Sequence, residues 1–202
     1  DAEGPLEKTG YTFIGWNTLE DGSGQDYVPG VSQITIGDEN IELFAKWELE
    51  TYQITFANNT GTGTMSNQTV EYGVAENLAA ENFSKTNYTF VGWNTSADGS
   101  GTSYADGDLI TLTGDATLYA IWTLETYQIT FDNNTGTGSM PNQTVEYGVA
   151  ENLDAEDLSK TGSIFAGWNT SADGTGTSYA DGGSITLTGD ATLYAIWTLE
   201  TY

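Results

Sequence analysis

The sequence predicts an α+β chain dominated by β-structure: tandem small repeats, each a mixed β-sheet with one short helix. Three observations carry that prediction. The stretch Gly92-Trp93-Asn94-Thr95, running into the turn Asp98-Gly99-Ser100-Gly101, has counterparts at residues 15–24 and 167–176. A second tryptophan closes each copy about thirty residues later, at Trp47, Trp122 and Trp197. Residues 51–125 align without a gap on residues 126–200, with 62 of 75 positions identical. A fixed period of this length marks a repeat array.

The domain organisation follows from the alignment. Residues 1–50 match the second half of a unit, with a small insertion between Val31 and Ile41. Residues 51–125 and 126–200 are full repeats, and residues 201–202 repeat Thr51-Tyr52 and so open another copy. The expectation is a slice of a longer array.

Residues 1–8 read as a polar loop around Gly4-Pro5. Tyr11-Thr12-Phe13-Ile14 then forms a strand into Trp16 and the turn at Asp21-Gly22-Ser23-Gly24. Tyr27-Val28-Pro29-Gly30 makes a turn, Ile34-Thr35-Ile36 a short strand, and residues 41–47 the closing strand. Lacking a first half, this copy is expected to be the least stable, with an open sheet edge.

In the second repeat, Tyr52-Gln53-Ile54-Thr55-Phe56 alternates apolar and polar residues, the period of a half-buried strand. Asn58-Asn59-Thr60-Gly61-Thr62-Gly63 turns the chain into a return strand over residues 68–72. Residues 75–85, with Leu78 and Phe83 as anchors, have the only helical character and predict one short helix. Strands at residues 88–91 and 109–112 follow. The closing strand, residues 117–122, is apolar on both sides, as in the centre of a sheet. The third repeat departs by Leu158 for Phe83, Ser163-Ile164 for Tyr88-Thr89 and Ala166 for Val91, which predicts a looser core. The expected core residues are Tyr52, Phe56, Trp93, Tyr119, Trp122, Tyr127, Phe131, Trp168 and Trp197. The order strand–strand–helix–strand–short strand–strand fits a β-grasp; a small all-β sandwich is the alternative. Only four residues, 123–126, join adjacent units, without Gly or Pro, so an array of restricted orientation is expected, each unit adding roughly 30 Å.

These residues resemble the Listeria–Bacteroides repeat, the family of the internalin B B-repeat. The resemblance rests on Tyr52-x-Ile54-x-Phe56, on Asn67-Gln68-Thr69-Val70-Glu71-Tyr72-Gly73, and on Lys85-Thr86-x-Tyr88-Thr89-Phe90-Val91-Gly92-Trp93-Asn94-Thr95. The Ala97-Asp98-Gly99-Ser100-Gly101 turn and the Leu118-Tyr119-Ala120-x-Trp122 strand complete it. The resemblance implies a β-grasp, a large secreted or wall-attached parent on a bacterial or archaeal surface, and repeats that serve as spacers or weak interaction modules.

Composition narrows the function classes. Twenty-nine acids face four lysines, for a net charge of −25, and there is no histidine or cysteine. Such a surface repels phosphate backbones and anionic headgroups, which argues against nucleic-acid and membrane-surface partners. No apolar run in this segment approaches a membrane span. Without His or Cys, the Ser-His, Cys-His and His-metal designs are excluded. A carboxylate pair is the remaining catalytic design, and acids scattered over turns do not suggest a cleft.

Four further candidates stand beside simpler readings. The Asp-Gly-Ser-Gly turns invite calcium, with Asp98, Asp106, Asp108, Asp181, Glu125 and Asp115 as ligands; calcium wants six to eight oxygens, and a plain hairpin turn is simpler. Trp93, Asn94 and Tyr104 suggest a weak glycan platform, against the commoner use of aromatics as core. Lys8, Lys85 and Lys160 raise a Lys–Asn cross-link, which requires a buried lysine. Asn-x-Ser/Thr sequons occur at Asn58, Asn67, Asn82, Asn87, Asn94, Asn133, Asn142 and Asn169.

The reading that results is a non-catalytic stalk or spacer segment of an extracellular or cell-surface protein, without a cofactor, whose first partners are neighbouring repeats. Two alternatives stay open: multivalent binding of a host protein or glycan, and self-association into a filament through the open half-unit.

Overall fold

The computed structural model describes residues 6–35, 37 and 40–201. The expected Gly4-Pro5 loop, Ile36 and Tyr202 lie outside the described residues, and Ile34-Thr35, expected to begin a short strand, are not in one.

The first copy holds β1 (Tyr11–Asn17), β2 (Asp26–Tyr27) and β3 (Phe44–Leu49), in the sheet order β2-β1-β3. Both pairings are antiparallel, with Trp16 opposite Tyr27 and Ala45. No described hydrophobic residue before Ile54 is fully buried, and Trp16 and Trp47 are only half-buried.

The second repeat holds β4 (Thr51–Ala57), β5 (Gln68–Glu71), β6 (Ala75–Asn77), β7 (Tyr88–Asn94), β8 (Ser103–Tyr104), β9 (Leu109–Thr111) and β10 (Ala116–Leu124). Five of these form a mixed sheet in the order β5-β4-β10-β7-β8, while β6 and β9 pair in a small separate sheet. The closing strand β10 runs parallel to β4, with Leu118 opposite Phe56. Period-two alternation sends Ile54 and Phe56 of β4 inward and leaves Thr55 in solvent. Leu118 and Ala120 of β10 are fully buried at the centre of the sheet.

The third repeat repeats this arrangement with β11 (Thr126–Asp132), β12 (Gln143–Glu146), β13 (Ala150–Asn152), β14 (Ser163–Asn169), β15 (Ser178–Tyr179), β16 (Ser184–Thr186) and β17 (Ala191–Leu199). Its order is β12-β11-β17-β14-β15, with β13 and β16 apart. Its core joins Ile129, Phe131, Val145 and Leu153 from the first half to Trp168, Ile185, Leu193 and Ala195 from the second. Neither half encloses a core alone. The chain divides into two compact units: residues 1–84 with 90–121, and residues 85–89 with 122–202.

Two expectations are corrected. The helix over residues 75–85 is absent: that stretch holds β6 and then extended chain, so the fold is all β among the described residues. Leu78 and Phe83 are both buried, but five residues apart they do not share a helical face. Groups elsewhere take the backbone bonds a helix would make internally. The Gln68 amide donates to Asn77 O and accepts from Ala79 N, both at 2.8 Å. Leu78 N–H donates to Asp108 O at 2.9 Å, and Glu81 N–H to Asp106 Oδ1 at 2.9 Å.

Among the swaps behind the looser core expected of the third repeat, those at Val91 and Ile164 lie at the surface, while Phe83 and the half-buried Tyr88 lose rings. Phe83 is buried and its counterpart Leu158 lies partly buried against the core, whereas Val91 and Ile164 are 60% and 56% exposed.

Candidate functional site

Among the described residues, the buried polar side chains Asn17, Asn94 and Asn169 each lie at the turn after a repeat tryptophan. Asn94 sits at the end of β7 with no exposed surface. Its Oδ1 accepts the N–H groups of Ser96 (2.8 Å) and Gly101 (3.0 Å). Its Nδ2 donates to Gly99 O (3.1 Å), Gly101 O (3.3 Å) and Ser103 Oγ (2.9 Å). One amide thus satisfies both edges of the loop from inside, as a buried side chain of this type must. Asn169 makes the same five bonds, as does Asn17, where Asp26 Oδ1 replaces the serine hydroxyl. Thr95 closes the loop's outer edge: its Oγ1 accepts Thr102 N–H at 2.9 Å. A Cβ on Gly101 would lie 2.2 Å from that Oγ1, so only glycine fits there.

The aspartates proposed for calcium are engaged by backbone N–H groups. Asp98 Oδ1 accepts both the hydroxyl (2.7 Å) and the N–H (3.0 Å) of Ser100. These bonds, the hydroxyl foremost, hold its carboxyl below the usual range, and Asp21 and Asp173 are held down in the same way. Asp106 caps Glu81 N–H, Asp108 caps Ala105 N–H, Asp115 caps Gln53 N–H and Asp181 caps Glu156 N–H. Among the described residues no group of three or more acids converges as a cation site would require.

The glycan platform is corrected. Trp93 and Asn94 have no exposed surface, so neither offers a face to a sugar, and Tyr104 is only half-buried. The Trp93 indole is enclosed by Phe56, Phe83 and Phe90, at centroid distances of 4.8, 5.9 and 5.1 Å. Beside it lies a shallow depression of about 230 Å³ lined by Val91, Tyr104 and Ile121. Of the other expected core residues, Phe56, Phe131 and Trp168 are buried, while Tyr52, Tyr119, Trp122, Tyr127 and Trp197 are half-buried. No candidate cross-linking lysine is buried: Lys8 and Lys85 stand over the rings of Tyr11 and Tyr88, at 3.8 and 4.0 Å, and Lys160 donates to Thr135. Asn94 and Asn169 are sealed from any glycosylating enzyme; Asn67, Asn82 and Asn142 are exposed.

The second convergence of polar groups escaped the sequence reading. Glu50 alone separates β3 from β4. Its N–H donates to Gly10 O (2.9 Å), its carbonyl accepts from Tyr72 N–H (2.8 Å), and its Oε2 accepts from Tyr52 hydroxyl (2.7 Å). Glu125, between β10 and β11, repeats the set with Asn87 O (3.0 Å), Tyr147 N–H (2.8 Å) and Tyr127 hydroxyl (3.0 Å). Gly10, Asn87 and Gly162 hold the same left-handed position, at φ 76°, 63° and 68°. The available signal was the recurrence of Leu-Glu-Thr-Tyr at residues 49–52, 124–127 and 199–202.

The family of the Listeria-Bacteroides repeat domain matches residues 2–46, 52–121 and 127–196. The chain belongs to this family. Two curated relatives are both from Evansella cellulosilytica. One, whose name describes a Gly-rich membrane protein, is 36% identical over 176 residues, covering 82% of this chain and 20% of its own length. The other, named as a membrane protein, is 30% identical over 202 residues, covering 96% of this chain and 28% of its own length. This Listeria–Bacteroides repeat chain therefore spans less than a third of either relative. Among its described residues no helix is long and apolar enough to cross a membrane.

Proposed function

We propose that the chain is a non-catalytic spacer: a stalk segment of tandem repeats that holds other parts of a surface protein away from the envelope, on the extracellular side. The observation that carries this reading is the one-residue junction. Glu50 leaves no slack between the first copy and the second repeat, and its N–H, carbonyl and carboxylate are all bonded. The same set recurs at Glu125. A tether meant only to connect would be a Gly/Ser-rich coil; this one restrains.

The rest of the chain is consistent with the proposal. Its buried amides bond their own loops, its carboxylates cap backbone N–H groups, and His and Cys are missing. The sheet order, with the last strand parallel to the first at the centre, supports reading each repeat as β-grasp-like, an extended segment taking the helix's place. The relatives' names place them at a membrane, which favours a surface location for this chain as well.

Light scattering combined with small-angle X-ray scattering tests the proposal. A monomeric, extended particle that ignores calcium supports it. Oligomers or filaments would favour assembly, and retention of the chain on a glycan or protein array would favour adhesion.

A further inference from the structure

The strands that open and close each complete repeat lie side by side. Ile54, Thr55, Phe56 and Ala57 of β4 run parallel to Ala116, Thr117, Leu118 and Tyr119 of β10. In the third repeat Ile129 through Asp132 of β11 run parallel to Ala191 through Tyr194 of β17 in the same register. The other strands of each repeat belong to the connection between these two. Because the pair is parallel, the chain enters the ladder at one end and leaves it at the other. Tension along the chain therefore drags the opening strand toward its start and the closing strand toward its end, sliding one along the other.

Side chains bracket the ladder at both ends. Ahead of it, Asp115 Oδ1 accepts Gln53 N–H at 2.9 Å, and Asp190 Oδ1 accepts Gln128 N–H at 2.9 Å. Beyond it, Asn59 Nδ2 donates to Ala97 O at 2.8 Å and to Ala120 O at 2.9 Å. Asn134 Nδ2 repeats both bonds with Ala172 O and Ala195 O, and Trp197 Nε1 adds one to Asn133 O at 3.0 Å. Inside the ladder Phe56 faces Leu118 and Phe131 faces Leu193, all buried. A slip of one residue would turn such side chains to the opposite face of the sheet.

We infer that each complete repeat is a shear clamp, whose opening and closing strands carry tension along the chain. The inference rests on the spacer reading for the source of that load. In shear, the ladder, the bracketing bonds and the buried pairs are strained together and give way in one event. Peeled from one end, the same contacts break one after another. The rate of forced unfolding then depends on the direction of pull as well as on stability. Glu125 alone separates β10 from β11, so the load leaving one clamp enters the next. The strands of the connection stay unloaded until the clamp yields.

The test is single-molecule pulling on the 202-residue chain, which has no cysteine of its own to compete with introduced handles. Thr126→Cys with Leu199→Cys loads β11 and β17 in shear. Thr126→Cys with Thr188→Cys places both handles at the same end of the ladder and peels it; all three positions are exposed. At one loading rate the shear pair is expected to rupture at about twice the force of the peel pair, or more. Asn134→Gly keeps the left-handed backbone, at φ 45°, and removes the amide beyond the far end of the ladder. It should lower the shear force and leave the peel force unchanged, because peeling starts at the other end. Equal forces in the two directions would overturn the inference. So would an equal loss in both directions for Asn134→Gly, the mark of a merely structural contact. Either result leaves the spacer reading standing; that reading fails separately, on an oligomer or a compact particle in the scattering experiment.

Discussion

The Tyr52 hydroxyl donates to the Glu50 carboxylate at 2.7 Å, and Tyr127 makes the same bond to Glu125 at 3.0 Å. Each bond spans two residues of a nearly continuous strand. It fixes the rotamer of the one residue between successive strands, whose backbone groups are bonded on both sides. The N–H, the carbonyl and the carboxylate of that residue are thus all bonded.

The two tyrosine bonds predict a sensitivity to alkali. The hydrogen bond to Glu50, followed by burial and the carboxylate's charge, raises the Tyr52 pKa above 10.0, and Tyr127 is raised likewise by Glu125. A raised tyrosine pKa stabilises the folded state fully below the unfolded value, and that contribution is lost as pH rises through the folded value. Ultraviolet titration should find Tyr52 and Tyr127 ionising above 10.0, and Glu50→Gln should return Tyr52 toward its ordinary value. Asp21, Asp98 and Asp173 have the opposite sign: their contribution is present above 3.8 and is lost as pH falls through their lowered values.

Asn94→Ala removes five hydrogen bonds from a sealed site and strands buried backbone groups. The expected cost is about 3 kcal/mol, read by urea unfolding with tryptophan fluorescence. Asn94→Asp keeps the acceptor for Ser96 and Gly101 but presents a carboxylate to two carbonyls and a hydroxyl. It should therefore be at least as damaging at neutral pH.

Gly10→Ala and Gly162→Ala separate backbone strain from packing. Both positions are left-handed, costing about 1 kcal/mol for alanine. A Cβ on Gly10 would lie 2.2 Å from the Tyr72 ring, whereas one on Gly162 meets nothing within 4 Å. Gly10→Ala should thus be the more destabilising in thermal unfolding. Gly162→Asn should be nearly neutral, since Asn87 holds that conformation in the second repeat.

Leu158→Phe should restore the ring that Phe83 supplies in the second repeat, and stabilise the third by about 1 kcal/mol. Val91→Ala, at a position 60% exposed, should change stability by less than about 0.5 kcal/mol. Chemical denaturation of both variants checks the pair.

The strands and the repeat were legible because their signal is local. Tyr-x-Ile-x-Phe alternates, and Ile54 and Phe56 are indeed inside. The segment after Tyr72 was not legible. Its conformation is set by Gln68, Asp106 and Asp108, which lie up to thirty residues away and bond its backbone from outside. The Trp-Asn-Thr turn was visible as a motif, yet Asn94 looked like a surface residue. A polar side chain reveals burial only through its partners, and these are backbone groups that any sequence carries. Glu50 and Glu125 were hidden for the same reason, since most of what they bond is main chain.

The proposal that the repeats form a restrained spacer is decided by the radius of gyration and mass of the 202-residue chain, with and without calcium. The expected result is a monomer whose radius of gyration clearly exceeds the roughly 17 Å of a compact chain of this length, unchanged by calcium. A compact or oligomeric particle, or one whose dimensions shift when calcium is added, would contradict it.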